Sequence, residues 1–250
     1  MNRRHAITTM SAIGVAAMFT GENAMAQETK SVAIIGTGRM GGAFGKAFTK
    51  AGYKVIYGSR NPGDDKVKAL VGATPGATAA TQKDAAAQAG MIVLATPWNA
   101  TEAVIKAMGD LTGKLILDPT NAISFGKKVS GMAVDTSGGE LVRDWAKGAK
   151  VVKAFNTVGY FVIADAGVLG DKVAVFLASD DAEAKTQVTE LINAMGFEAV
   201  DVGPMKNARV LESMSLLYMV PFMSGKADQR FEWAVRRSGG VKLGPVRPAG

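Results

Sequence analysis

The chain has 250 residues, 48% of them hydrophobic and 20% charged, with a formal net charge of +7 at pH 7, a composition typical of a globular protein with a sizeable core. It has no cysteine and a single histidine, His5, which excludes disulfides, thiolate nucleophiles, Ser-His-Asp catalysis in the main body and the usual Cys/His metal sites. No basic block carries interleaved aromatic residues, so the positive charge fits an anionic cofactor better than a nucleic acid.

The first 26 residues have the pattern of an export signal. Arg3 and Arg4 precede an apolar run over residues 6–19, and Ala24-Met25-Ala26 follows as a small-x-small cleavage pattern. The alternatives to a signal peptide are an N-terminal amphipathic helix or a tail translated from a start codon set too far upstream. The paired arginines favour the twin-arginine route of export. The apolar run is shorter than the roughly 20 residues that a membrane-spanning helix needs, so we expect no membrane span. We expect cleavage near Ala26 and a periplasmic or secreted protein.

Short apolar runs then alternate with helical patterns. Strands are predicted at 32–35, 55–57, 77–80, 91–95, 115–117, 151–155, 173–177 and 199–202, and helices at 40–51, 101–108, 140–147, 182–195 and 208–219. Nearly continuous apolar strands separated by helices are typical of a parallel sheet covered on both faces. The sequence therefore predicts an α/β fold with a Rossmann-type, doubly wound parallel sheet. We expect a dinucleotide-binding domain at 27–156, a small C-terminal α/β subdomain at 157–235 and a flexible basic tail at 236–250.

A glycine-rich loop follows the first strand and begins the first helix. It reads Gly36-Thr37-Gly38-Arg39-Met40-Gly41, a G-x-G-x-x-G pattern. In such loops the first glycine allows a tight turn, the second lets the backbone approach a pyrophosphate, and the third lets helix and strand pack closely. The amides at the helix N-terminus then face the phosphate charge. This context favours dinucleotide binding over a plain strand–helix turn.

The end of the second strand indicates which dinucleotide is bound. An NAD site places an acidic residue there, about 20 residues after the loop, but this chain has Ser59 and Arg60 instead. A guanidinium can hold a 2′-phosphate through paired charge-assisted hydrogen bonds, whereas an acid would repel it. We therefore predict NADP, with Arg39 and Lys66 as weaker candidates for the same phosphate. The alternative for Arg60 is a solvated surface arginine.

Three segments together resemble a known family. They are "IIGTGRMGGAFGKAFTKAGYKVIYGSRNP", "VVKAFNTVG" and "FLASDDAEAKTQVTELINAMGFEAVDVG", and the resemblance covers nearly all of residues 31–224. The chain resembles the coenzyme F420-dependent NADP oxidoreductases, and it is similar also to the oxidoreductase domain of the STEAP metalloreductases. The combination of the three segments is fairly specific, whereas the glycine loop alone is not.

The resemblance implies roles for particular residues. Thr37, Gly38, Arg39 and Met40 match the pyrophosphate loop, and Ser59 and Arg60 match the 2′-phosphate pair. The resemblance places Thr96, Pro97 and Trp98 beside the ribose and nicotinamide, and Asn121, Asn156 and Thr157 facing the nicotinamide and a second ring system. Asn121 is expected to bind the cofactor, and the expected substrate pocket is lined by Trp98, Phe155, Asn156 and Thr157. The implied second substrate is a flavin-like or deazaflavin ring that takes hydride directly from the nicotinamide.

Direct transfer between rings is mainly a matter of positioning, so we expect no catalytic acid or base and no metal. A carbonyl or imine reductase would need a proton donor, for which Lys153 is the strand-end candidate; contact between Lys153 and a neighbouring carboxylate is the favoured alternative. Trp98 either borders a ring or serves as hydrophobic cover.

The expected function is an NADPH-dependent oxidoreductase acting on a small-molecule hydride acceptor. The alternatives are a non-catalytic NADP-binding sensor or redox-partner module, and an NADPH-dependent reductase of a small carbonyl or imine substrate. A homodimer formed through the Leu/Met-rich C-terminal helix is a further expectation.

Overall fold

The computed structural model describes residues 30–125 and 130–237. The predicted leader, and residues 238–250 of the predicted tail, lie outside the described residues. The strands are β1 (Ser31–Ile35), β2 (Lys54–Ser59), β3 (Thr78–Thr81), β4 (Met91–Leu94), β5 (Leu115–Asp118), β6 (Ile123–Phe125), β7 (Ser130–Met132), β8 (Lys150–Ala154), β9 (Ala174–Ala178) and β10 (Glu198–Asp201).

Helices connect most of these strands. They are α1 (Arg39–Lys50), α2 (Asp65–Gly72), α3 (Gln82–Gln88), α4 (Trp98–Met108), α5 (Gly138–Trp145), α6 (Tyr160–Ala164), α7 (Ala182–Ala194) and α8 (Ala208–Met223). Two short 3-10 turns at Met205–Asn207 and Ala227–Gln229 flank α8.

Eight strands form one sheet in the order β3-β2-β1-β4-β5-β8-β9-β10, and β6 and β7 form a separate antiparallel pair. The strands from β3 to β8 are all parallel, with Ile34 of β1 opposite Tyr57 of β2 and Val93 of β4. This is the strand order of a dinucleotide-binding sheet, and it confirms the predicted Rossmann-type fold. The carboxyl ends of β1, β2, β4, β5 and β8 consequently meet at one edge of the sheet.

The C-terminal extension, predicted only as a small α/β subdomain, adds two strands whose directions were not predicted. Strand β9 pairs antiparallel with β8, with Lys153 opposite Ala178, and β10 pairs parallel with β9. The chain leaves β8 at the carboxyl edge and re-enters the sheet at that edge after α6, so β9 must run back. The extension therefore continues the same sheet, and the expected domain boundary after residue 156 stays a prediction.

The core lies on both faces of the sheet. One cluster joins the sheet to α1, α6 and α7 through side chains such as Phe44, Val162 and Val188. The other joins it to α3, α4 and α5 through side chains such as Val104 and Val142. The central strands present apolar side chains to both clusters, which explains why they read as nearly continuous apolar runs.

Several elements were not predicted from the sequence. Helices α2 and α3 have eight and seven residues and bury only one and two side chains, so their apolar periodicity is weak. Strands β6 and β7 have three residues each, and α6 has five. Among the described residues, no helix has both the length and the apolar character required to cross a membrane. The same residues contain no group of three His, Cys, Asp or Glu side chains suited to a metal ion.

Candidate dinucleotide-binding site

The glycine loop joins β1 to α1 at the carboxyl edge of the sheet. The amide of Gly36 donates to the carbonyl of Gly58 in β2, which ties the loop to the neighbouring strand. Helix α1 begins after Gly38, whose extended backbone forms the N-cap without any side-chain hydrogen bond. The first turn contains no acidic residue. The N-terminus of α1 therefore presents donor groups and partial positive charge with no anion of its own helix to offset them.

Each glycine of the loop meets a different steric requirement. Gly36 has φ of +119°, and a Cβ there would lie 2.2 Å from the carbonyl oxygen of Ala95. A Cβ on Gly41 would lie 2.0 Å from the carbonyl oxygen of Gly36. Gly38, in contrast, has no heavy atom of residues 30–125 or 130–237 within 4 Å of where its Cβ would be. The first and third glycines are thus required by the fold, whereas the second leaves open space above the helix N-terminus, as a pyrophosphate site requires.

The side chains of the loop flank this open space. Thr37 is half-buried, while Arg39 is exposed and Met40 half-buried at the start of α1. The guanidinium carbon of Arg39 lies 5.7 Å from the ring centroid of Tyr160 in α6. This contact holds a cation beside the loop without a carboxylate, since its partner is an aromatic ring.

The end of β2 places Ser59 and Arg60 at the same edge of the sheet. Ser59 is half-buried and its hydroxyl accepts a hydrogen bond from the amide of Asn61 at 3.2 Å. Arg60 is exposed, and its guanidinium forms no ion pair with any of the carboxylates in the described residues. The predicted acid-free strand end is present, with a free cation where an NADP site requires one.

The loop after β4 carries Thr96, Pro97 and Trp98. The hydroxyl of Thr96 lies 2.9 Å from that of Thr101, which in turn donates to the carbonyl of Pro97. These bonds fix the turn into α4, whose N-cap, Pro97, supplies no side-chain cap. Trp98 is half-buried and stacks on Trp145 with ring centroids 5.4 Å apart. This packing fits the hydrophobic-cover alternative for Trp98.

Asn121 and Asn156 join the loops that follow β5 and β8. The side chain of Asn121 donates to the carbonyl of Asn156 at 2.8 Å, and that of Asn156 donates back to Oδ1 of Asn121 at 3.0 Å. The second N–H of Asn156 donates to the carbonyl of Leu211 at 2.8 Å. Both N–H groups are thus used, and Oδ1 of Asn156 is a buried acceptor without a partner among the described residues. Such an atom is an acceptor whose donor the described residues do not supply.

The other two predicted pocket residues are buried. Thr157 is 1% exposed. Phe155 is also 1% exposed, and its ring packs edge-on against Phe44 and Phe197 within the core. The structure therefore places the ring of Phe155 in the core and not in a pocket, because it packs between Phe44 and Phe197. Its backbone is left-handed, with φ of +62°.

Lys153 lies in a fully buried ion cluster. Its ammonium is 3.1 Å from a carboxylate oxygen of Asp118 and 2.8 Å from one of Glu212, and it also donates to the carbonyl of Thr120. Burial alone would lower the pKa of Lys153, but the two carboxylates outweigh it and hold that pKa above its usual range. The favoured expectation, contact with a carboxylate, is confirmed. Glu212 was missed by sequence reasoning, since nothing in the Leu/Met-rich α8 marks its one acid as a partner of a residue 59 positions earlier.

The site fits NADP. Within the described part of the chain, the open space at Gly38, the N-terminus of α1 without an acidic residue and the guanidinium of Arg60 without an ion pair suit an anionic dinucleotide phosphate. A parallel sheet with this loop and this strand end defines a Rossmann-type dinucleotide-binding protein.

Comparison with known proteins narrows this class of dinucleotide-binding protein to one family. Residues 31–122 match the family model described as NADP oxidoreductase, coenzyme F420-dependent. The chain is 30% identical over 202 residues to the F420-dependent NADP reductase of Methanocaldococcus jannaschii, covering 74% of this chain and 89% of that protein. The chain therefore belongs to the family of coenzyme F420-dependent NADP oxidoreductases, as the sequence resemblance indicated.

Two further relatives agree with this assignment. A crystal structure of a protein from Arthrobacter sp. FB24, provisionally assigned as an F420-dependent NADP reductase, superposes with a TM-score of 0.73 at 29% identity and covers 82% of this chain and 99% of that one. Metalloreductase STEAP3 of Rattus norvegicus is 26% identical over 191 residues, covering 76% of this chain. The chain spans only 37% of the length of that metalloreductase.

Proposed function

We propose that the protein is an NADPH-dependent reductase that passes hydride from the nicotinamide directly to a flavin-like or deazaflavin ring. The observation that carries the proposal is the free N-terminus of α1 above Gly38, on the same sheet edge as the free guanidinium of Arg60. The relative from Methanocaldococcus jannaschii, which carries F420 and NADP in its name, supports the same pair of substrates for this chain.

Each part of the sheet edge has a role in this proposal. The amides at the start of α1 bind the pyrophosphate, and Ser59 and Arg60 bind the 2′-phosphate. Thr96 and Pro97 border the ribose, and the Asn121–Asn156 pair faces the carboxamide of the nicotinamide. When bound, NADPH supplies the hydride, and the protein contributes position and exclusion of water.

A ring acceptor fits this site better than a carbonyl or imine substrate. Reduction of a carbonyl needs a proton donor at the oxygen, and Lys153 is 0% exposed with its three N–H groups directed at Asp118, Glu212 and Thr120. Its raised pKa further opposes release of the proton. Hydride transfer between two rings makes no such demand on a side chain.

Titration of the purified protein with NADPH and with NADH, followed by nicotinamide fluorescence, tests the cofactor. Arg60→Asp should weaken NADPH binding by about 10- to 150-fold, since hydrogen bonds to charged groups contribute about 1.5–3 kcal/mol, and should leave NADH binding nearly unchanged. Lys50→Asp makes the same change of charge on an exposed residue at the far end of α1 and serves as the control. Equal loss of both nucleotides in Arg60→Asp would contradict the 2′-phosphate role.

Steady-state oxidation of NADPH with deazaflavin or FMN tests the reaction. Turnover with a ring acceptor, and none with small ketones or imines, is the expected result. Tight NADPH binding without oxidation by any of these acceptors would favour the non-catalytic sensor or redox-partner module.

The predicted leader leads to a proposal about location. Free NADPH is scarce outside the cytoplasm, so an exported enzyme would carry its cofactor folded in, which the twin-arginine route permits. N-terminal sequencing of the protein from a periplasmic fraction should begin near residue 27. An intact Met1 in the cytosolic fraction would overturn the proposal.

Helix α8 supports the proposed homodimer. It exposes the apolar side chains of Val210, Leu217 and Val220, which are 60%, 53% and 43% exposed. Pairing of two such faces would remove this apolar surface from water. Light scattering at micromolar concentration measures the mass directly, and a monomer would overturn the proposal.

A further inference from the structure

The buried ion cluster of Lys153, Asp118 and Glu212 lies beneath the loop that carries Asn121, and all three side chains are 0% exposed. Replacing buried ions by apolar residues of similar volume is often neutral or stabilising, so such a cluster is weak evidence for a role in stability alone. The cluster also forms hydrogen bonds with the backbone of the loop that carries Asn121, and these bonds indicate a second role.

The cluster holds the peptide groups on both sides of Asn121. Lys153 donates to the carbonyl of Thr120, immediately before Asn121. The amide of Ala122, immediately after it, donates to Oε2 of Glu212 at 3.2 Å. Asp118 fixes the start of the loop by accepting from both the amide and the hydroxyl of Thr120, at 2.9 and 2.6 Å. The backbone that carries the Asn121 side chain is therefore held from both directions.

Glu212 anchors this arrangement to two helices. It belongs to α8, and its carboxylate accepts from the amides of Gly138 and Gly139 at the start of α5, both at 2.9 Å. A Cβ on Gly138 would lie 3.1 Å from Oε1 of Glu212, so glycine permits this close approach. The amide of Ala122 and the ammonium of Lys153 are two further donors, so the carboxylate of Glu212 has four donors and all of its acceptor positions are occupied.

The same segment of α8 also holds Asn156. The carbonyl of Leu211, next to Glu212, accepts from the side chain of Asn156 at 2.8 Å. Asn121 and Asn156 thus form a reciprocal amide pair whose two members are fixed by adjacent residues of α8. Oδ1 of Asn156 is left as a buried acceptor without a donor among the described residues.

We propose that Glu212 and Lys153 are positioning residues, which hold the Asn121–Asn156 amide pair rigid so that the nicotinamide half of NADPH binds in one orientation. The inference rests on the proposed function. Glu212 and Lys153 touch neither substrate nor cofactor. They act through the loop at residues 118–122, and the adenosine half of the cofactor, bound at the glycine loop and Arg60, does not depend on them.

The test compares two ligands. NADPH contacts both halves of the site, whereas 2′,5′-ADP has the adenosine and its phosphates but no nicotinamide. Glu212→Gln keeps the shape of the side chain but replaces one acceptor oxygen by an NH₂ group, which cannot accept from an amide or from Lys153. We expect this variant to weaken NADPH about tenfold and to leave 2′,5′-ADP binding unchanged, as the loss of about one hydrogen bond to the nicotinamide half implies.

Asn121→Ala separates positioning from general stability. It removes the half-exposed side chain that the cluster holds and leaves the cluster intact, and it should shift the ratio of the two dissociation constants in the same way. In the double variant Glu212→Gln/Asn121→Ala the losses in NADPH affinity should not add, because Glu212 acts through Asn121. A merely structural role would change the melting temperature without changing this ratio.

The outcomes are distinct. If Glu212→Gln does not fold, Asp118→Asn is measured in the same way, because its amide would face Lys153 and weaken the same loop. An unchanged NADPH to 2′,5′-ADP ratio in Asn121→Ala or in the folded cluster variant, or strictly additive losses, overturns the inference and leaves the proposed function standing. A wild-type protein that binds neither ligand overturns the proposed function, and this inference with it.

Discussion

Gly38→Ala is expected to weaken cofactor binding by at least about tenfold while the protein still folds. A Cβ at this position would have no heavy atom within 4 Å in the part of the chain that the structure describes, and the backbone φ of −82° is one that alanine adopts freely. The change at an N-cap from glycine to alanine costs at most about 1 kcal/mol of stability. The variant should therefore melt within a few degrees of the wild type.

The new methyl group would occupy the space above the N-terminus of α1. A pyrophosphate kept away from these amides loses one or two charge-assisted hydrogen bonds of about 1.5–3 kcal/mol each. The dissociation constant of NADPH should rise by at least about tenfold if one weak bond is lost, and by up to about 20,000-fold if both are lost at 3 kcal/mol each. Nicotinamide fluorescence titration measures this constant, and thermal melting followed by circular dichroism measures the fold.

Two other glycines provide the comparison. Gly72, the last residue of α2, also has no heavy atom within 4 Å of its Cβ position, and Gly72→Ala should change neither folding nor binding. Gly41→Ala should damage the fold itself, because its Cβ would lie 2.0 Å from a backbone oxygen. If Gly38→Ala binds NADPH within about twofold of the wild type, the pyrophosphate does not lie against Gly38 and the glycine loop is only a turn.

Two further predictions concern stability. Gly45→Ala would place a Cβ 1.7 Å from the hydroxyl oxygen of the buried Tyr57, and should lower the free energy of unfolding in urea by about 1–3 kcal/mol. Adding Tyr57→Phe to this variant removes that oxygen and should recover part of the loss. An unchanged urea midpoint for Gly45→Ala would refute the packing argument. The hydrogen bonds from Arg209 hold the pKa of Glu140 below its usual value, so this pair stabilises the fold above the unfolded pKa of about 4.3 and loses its effect as pH falls through the lower folded pKa. Glu140→Gln should therefore reduce the fall in the free energy of unfolding between about pH 5 and pH 3. Glu102→Gln, which changes an exposed ion pair, serves as the control and should not reduce it. If the free energy of unfolding of Glu140→Gln falls with pH as steeply as that of the wild type, the stabilising role of the Glu140–Arg209 pair is contradicted.

The sequence by itself was sufficient for the parallel half of the fold and for the cofactor loop. Strands β1, β4 and β5 are short apolar runs buried on both faces, and each was predicted to within a few residues. Gly36, Gly38 and Gly41 could be assigned separate roles because their spacing within one strand–helix turn has few structural explanations. The absence of an acidic residue after β2, which favours NADP over NAD, could also be read from the sequence, since the second strand ends at a fixed distance from the glycine loop.

Only the tertiary structure decided how distant segments meet. The reversal of β9 depends on the path taken through α6, and the burial of Phe155 depends on Phe44 and Phe197, which come from α1 and from the turn before β10. Glu212 reaches Lys153, Ala122 and the start of α5 across 59 to 90 positions of the chain. Local periodicity reports which face of an element is buried, because that depends on residues three or four positions apart. It carries no information on which charges are brought together, because that depends on how whole elements pack.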